Sequence, residues 1–195
     1  MSLLTKAILE TVRAKEEGAV LSPKEFLHIG SRAAVDQAFT RLTRARSLVR
    51  VSRGLYARPV ATRFGERPPS AESVIRGIET IEHEKLVPHG AAAANALGLT
   101  TQVPMREVYM TPGRPRTISL GKQRIEIKRA PRWQFALGQR PAGEALRALG
   151  WIGPHHVRSA LLKLRKELAE PEWNAILSVR SLLPGWLARS ISQVE

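Results

Sequence analysis

The sequence predicts an α+β fold, and three stretches carry the prediction. Residues 31–59, SRAAVDQAFTRLTRARSLVRVSRGLYARP, read as a helix followed by a two-stranded hairpin. Residues 107–128 alternate as short strands separated by Pro/Gly turns. From Pro141 onward the apolar spacing is helical. Helices and antiparallel strands that segregate along a chain in this way make an α+β protein rather than a parallel α/β one.

The elements follow in order. Leu4, Ala7, Ile8 and Val12 share one stripe of a helix over residues 3–15. Glu16-Glu17-Gly18 ends it, and Ala19-Val20-Leu21 is expected to pair as a short strand beside the later hairpin. Ser22-Pro23-Lys24-Glu25 starts a second, short helix, with Ser as cap, Pro in the first turn and Glu three residues on. Gly30 provides the turn to a third helix, capped by Ser31, whose hydroxyl can accept from an orphaned backbone N–H. Val35, Ala38, Phe39 and Leu42 face inward from that helix. Arg32, Ala33, Asp36, Gln37, Thr40, Arg41 and Arg44 face out. Leu48–Val51, a Ser52-Arg53-Gly54 turn and Leu55–Arg58 then make a hairpin that Pro59 ends. Helix, helix, tight turn, helix and hairpin is the order of a winged helix-turn-helix.

Residues 61–69, with Gly65, Pro68 and Pro69, are expected to link this 1–60 module to a second domain over 70–195. That second domain is expected to be α+β, with a small antiparallel sheet and a helical C-terminus. Ser70 caps a helix to about Lys85 that turns Val74, Ile78 and Ile81 inward, and Pro88-His89-Gly90 breaks the pattern. The alanine-rich 91–98 is a short helix whose small side chains permit close packing. Strands are expected at Glu107–Met110, Thr117–Leu120 and Arg124–Lys128, with Ile125 and Ile127 on one face. Val157, Leu161, Leu164 and Leu168 form a helical stripe, and shorter helices follow Pro171 and Pro184.

Charge narrows the function. Lys plus Arg number 31 against 17 Asp plus Glu, giving +14, distributed as +6 over residues 1–60, +5 over 61–135 and +3 over 136–195. That excess suits a polyanionic partner. No long apolar run or signal-peptide pattern favours a membrane, so a cytoplasmic place is expected. The absence of cysteine excludes disulfides, thiolate nucleophiles and Cys-ligated zinc. Neither catalysis nor a cofactor is expected. His83 and His89 lack the i, i+4 spacing of a zinc-binding helix, and the adjacent His155 and His156 cannot point at one metal. Glu79 and Glu82 have no Asp nearby, Asp36 being the sole aspartate.

Arginine forks onto guanine, glutamine onto adenine, and arginine or serine onto phosphate. Ser31, Arg32, Gln37, Thr40, Arg41 and Arg44 therefore form the candidate DNA-binding face, with Arg50, Arg53 and Arg58 on the hairpin as phosphate or minor-groove contacts. The same face would also suit a solvated helix on a winged domain used for protein contacts, and Arg50 and Arg58 read equally as exposed strand residues. Arg114, Arg116, Lys122, Arg124 and Lys128 make either a second basic surface or the charged outer face of a sheet.

Two stretches resemble the AbiEi-type antitoxins of bacterial type IV toxin–antitoxin systems. One is the 31–59 segment. The other, HGAAAANALGLTTQVPMREVYMTPGRPRTISLGKQRIEIKRA over 89–130, is longer and more specific. The likeness covers about residues 5–135; the terminal helices, with Leu182, Leu183, Trp186 and Leu187, match less distinctively and suit either a core or a contact surface. The resemblance implies a repressor that binds double-stranded DNA at inverted repeats in its own operator. It also implies an antitoxin that counteracts a nucleotidyltransferase toxin, in many cases without a stable complex. By resemblance the DNA-facing residues are Ser31, Arg32, Gln37, Thr40, Arg41, Arg44 and Arg53. An antitoxin that binds its toxin directly, and a plain winged-helix repressor, stand as the alternatives.

Overall fold

The computed structural model describes residues 2–16, 18–121 and 123–194. The fold is mixed α+β and divides into two compact units: Met1–Leu86 with Arg116–Glu126, and Val87–Pro115 with Ile127–Glu195.

Unit 1 opens with α1 (Leu3–Ala14), capped by the Ser2 hydroxyl, which accepts from the Thr5 amide. Strand β1 (Val20–Leu21) follows, then a single 3-10 turn over Pro23–Phe26. Its capping box forms as expected: Glu25 accepts from the Ser22 amide at 2.7 Å, and the Ser22 hydroxyl caps the turn. The expected short helix is thus no more than this turn. Helix α2 (Arg32–Arg44) is capped by Ser31, and strands β2 (Val49–Ser52) and β3 (Leu55–Ala57) make the hairpin. The three strands pair antiparallel in the order β1-β3-β2, with Val20 opposite Ala57 and Ser52 opposite Leu55. Their order along the chain is that of a winged helix-turn-helix.

The module closes on one core: Ile8 and Val12 from α1, Leu21, Phe26, then Val35, Ala38, Phe39 and Leu42 from α2, and Leu48. The inward stripe of α2 is the one its 3.6-residue periodicity predicts. Arg46 takes a left-handed φ of 60°, which ends the helix at Arg44 and turns the chain toward Leu48.

Residues 61–67, within the expected 61–69 linker, instead join Val60 in a second hairpin, β4 (Val60–Thr62) with β5 (Gly65–Arg67). Unit 1 then continues through α3 (Ala71–Glu82), which buries Val74, Ile75 and Ile78 and leaves Ile81 half-buried. Helix α3 packs on β1. Strand β8 (Arg116–Leu120) pairs with the first part of β9 (Gln123–Arg129) and lies alongside β2.

Unit 2 has β6 (Val87–Pro88) paired antiparallel with β7 (Glu107–Thr111), Val87 opposite Met110, and the last residues of β9. Its larger part is helical: α4 (Gly90–Ala96), α5 (Pro141–Ile152), α6 (Val157–Glu167), α7 (Glu170–Ser178) and α8 (Gly185–Ser192). Leu146, Leu149, Leu161, Leu164, Trp173, Ile176, Leu187 and Ile191 fill its core. Of the terminal apolar residues, Leu183 and Leu187 are core, Trp186 packs against it, and Leu182 is exposed. Helices α4 and α5 approach closely because α4 carries small side chains; a Cβ on Gly90 would come within 2.3 Å of the Arg147 carbonyl. Among the described residues no helix is long and apolar enough to cross a membrane.

Candidate nucleic-acid interface

Helix α2 presents its outer face because its inner one is fixed at two points. The Phe39 ring meets Phe26 edge-on at 5.4 Å between centroids, and meets Tyr56 of the wing strand β3 at 4.8 Å. Aromatic pairs at this spacing are directional. They set the helix rotation and tie it to the hairpin. Gln37, Thr40, Arg41 and Arg44 then fall at i, i+3, i+4 and i+7 on the solvent side, all four exposed. With Ala33 and Asp36 they line one shallow depression.

Each side chain on this face has a defined local state. The Ser31 hydroxyl accepts from the Ala34 amide at 3.3 Å, so it serves first as the helix cap. Arg32 donates from Nε to Asp36 Oδ2 at 2.8 Å across one turn, in the open. A surface pair of this kind contributes little stability, about 0.3–0.5 kcal/mol. What it does is hold the guanidinium down along the helix. Thr40 donates its hydroxyl to the Asp36 carbonyl at 2.8 Å and keeps its oxygen lone pairs for accepting. The carboxylate of the lone aspartate therefore positions Arg32, while Thr40 is held by the backbone of the same residue.

The wing carries Arg50 on β2 and Arg53 in the two-residue Arg53-Gly54 turn, both exposed. Gly54 adopts φ +75°, a conformation glycine reaches without strain, and this makes so tight a tip possible. Arg50 leans along its own strand, Nε 3.5 Å from the Ser52 carbonyl. Arg58 plays a different part, since its guanidinium donates to the carbonyls of Arg13, at 2.9 Å, and Lys15, at the end of α1. A cation there satisfies carbonyls the helix leaves open.

An exposed polar and basic face on one helix, a basic wing beside it and one shared core are thus in place when the chain is compared with known proteins. Residues 7–173 match the model of a family of unknown function, DUF6088. The chain belongs to that family. Comparison with curated proteins and with solved structures found no match.

In this DUF6088 protein the second group of cations divides between the units. Arg116 and Arg124 belong to unit 1, Arg114 and Lys128 to unit 2, and Lys122 lies outside the described residues. Arg124, Arg114 and Lys128 are exposed. Arg116 is engaged by two carboxylates, Glu82 at 2.7 Å and Glu84 at 2.6 Å. Glu82 is accordingly a partner of Arg116, and Glu79 accepts from the Leu86 amide at 2.9 Å behind the end of α3. Both act in the fold, where the sequence suggests solvated carboxylates. His89 caps α4, its Nδ1 accepting from the Ala91 amide at 3.1 Å. Among the described residues no group of three His, Asp or Glu side chains is placed to hold a metal.

What the sequence reading passes over in this DUF6088 chain is the second hairpin. Its signal is short: β-branched Val60 and Thr62 before a glycine turn, with Pro68-Pro69 closing the segment. Two prolines and a glycine read more readily as a linker.

Proposed function

We propose that this DUF6088 protein is a DNA-binding autorepressor and the antitoxin of a type IV system, set against a nucleotidyltransferase toxin. The observation that carries the DNA part is the outer stripe of α2: exposed Gln37, Thr40, Arg41 and Arg44 over a wing tipped by Arg53. Arginine and glutamine at that spacing suit bidentate readout in a major groove. Arg50 and Arg53 suit the flanking phosphates. The net charge of +14 supports the same partner. The antitoxin part rests on the likeness of residues 89–130 to AbiEi-type antitoxins. The test is anisotropy titration of the purified protein with its own promoter duplex and with a random duplex of equal length. Arg41→Ala should lose about 1–3 kcal/mol on the promoter and relax base preference. Equal affinity of the wild type for both duplexes at physiological salt overturns the operator reading.

A second reading, direct capture of the toxin by unit 2, is favoured by one feature. Val103 and Met105 stand 71% and 95% exposed in the loop after α4. Exposed apolar side chains on one short loop are a protein-contact signal. Co-elution of the two proteins on a sizing column supports this reading, and separate elution removes it.

A further inference from the structure

The hairpin β4–β5 contributes nothing to the core. Residues 61–67 are all exposed, so the ribbon leaves the body with neither face covered. A two-stranded ribbon of this kind has little stability of its own. Yet its tip is built. Thr62 Oγ1 donates to the Gly65 carbonyl at 2.6 Å and accepts from the Phe64 amide at 3.2 Å, while Gly65 takes φ +105°. These bonds hold out two side chains: Phe64, 85% exposed, and Arg63, whose guanidinium lies over the Phe64 ring at 4.7 Å. Arg67 follows on β5 with only Glu66 as a nearby carboxylate in the ribbon. The strand β4 begins three residues after the wing strand β3 ends, within the same compact unit.

We propose that this ribbon is a second DNA-contacting finger of unit 1, with Phe64 as an apolar wedge at a base step and Arg63 and Arg67 on the adjoining phosphates. This rests on the reading of α2 and the wing as a DNA-binding face. An exposed aromatic on a charged, otherwise polar ribbon suits partial intercalation in a minor groove, where phenylalanine unstacks one step and arginine neutralises the backbone. The stacked Arg63 covers one ring face in the free protein and can swing to phosphate as the ring enters the stack. A protein partner would fit Phe64 alone. The flanking arginines and the continuity with the basic wing favour the duplex.

The absence of cysteine makes the test specific. Full-length Phe64→Cys carries one thiol, which takes either an environment-sensitive fluorophore or a tethered iron chelate. The probes are the protein's own promoter duplex and a random duplex, at physiological salt. The expected result is a blue shift of the label on adding promoter DNA, with chelate cleavage confined to a position outside the segment protected by α2. Unlabelled Phe64→Ala should weaken promoter binding about tenfold, the scale of one lost stacking side chain. Arg63→Ala should lower the salt slope by about one. Circular dichroism melting of each variant should match the wild type, since Arg63 and Phe64 are exposed at the ribbon tip. If Arg41→Ala abolishes promoter preference while the label on Phe64→Cys stays unmoved and Phe64→Ala binds within about twofold of wild type, well short of one lost stacking contact, the finger is overturned and the recognition helix stands. If the wild type binds neither duplex, both fall together.

Discussion

Arg147 and His89 show how much a single position depends on partners its own neighbours do not reveal. Arg147 sits in the middle of α5, 1% exposed, with Nη1 donating to the carbonyls of Gly138 at 2.7 Å and Gln134 at 3.3 Å. Burial lowers its pKa, and nearby Glu144 offsets part of that. On the sequence it is one more arginine of a basic chain, and nothing in the helical spacing marks it as core. His89 is the counterpart at the start of α4. Burial first, then the charge of Lys128, lowers its pKa from the ordinary 6.5, and its neutral Nδ1 is what caps the helix. The unfolded chain therefore takes up a proton at a higher pH than the folded one does. The stability His89 contributes is complete above the ordinary value and is lost as pH falls through it toward the lowered folded value. Melting of the wild type should decline over that window. His89→Ser, which keeps an acceptor at the cap without a titrating group, should flatten the decline.

Elements are held by shape as much as by periodicity, and α3 is the clearest case. Its N-cap and inward Val74 and Ile78 are legible from Ser70 and the apolar spacing. Gly77 reads in isolation as a helix weakness, and Gly→Ala on a free helix gains about 1 kcal/mol. Here a Cβ on Gly77 would come 2.4 Å from Val20 Cγ2 and 2.7 Å from Val20 Cβ on β1. Overpacking of this kind costs about 1–3 kcal/mol, which exceeds the propensity gain. Gly77→Ala should therefore lower the denaturation midpoint. A raised midpoint in that variant would contradict the packing of α3 on β1. Helix α2 behaves alike. Its capping serine and inner stripe come straight from sequence, while the Phe26 and Tyr56 contacts that aim it come from residues 13 positions before Phe39 and 17 after it.

For the whole molecule, the charge of +14 predicts binding that is strongly salt-dependent, and burial and pairing select the cations available for it. Arg32, Arg41, Arg44, Arg50 and Arg53 lie on exposed faces of α2 and the wing. With two to four of them on phosphates and the rest on bases, log K against log salt should slope at about −2 to −4. Arg50→Ala should make the slope shallower by about one without changing sequence preference, as titrations at stepped salt concentrations can measure. The α+β class, the module from α1 to the wing and the outer stripe of α2 are all legible in the bare chain. Each follows from spacings of a few residues, which local backbone geometry converts directly into faces. Which arginines are taken up by the fold is not legible there. Arg58 is engaged by Arg13 and Lys15, Arg116 by Glu82 and Glu84, Arg140 by Glu172 at 2.6 Å, and these partners lie more than thirty residues away. Nor is the Arg63-Phe64 finger, because a glycine and two prolines signal a break in the chain equally well whether a ribbon or a linker precedes them. Those choices belong to the tertiary structure, since only chain closure decides which distant charges meet and which stay in water.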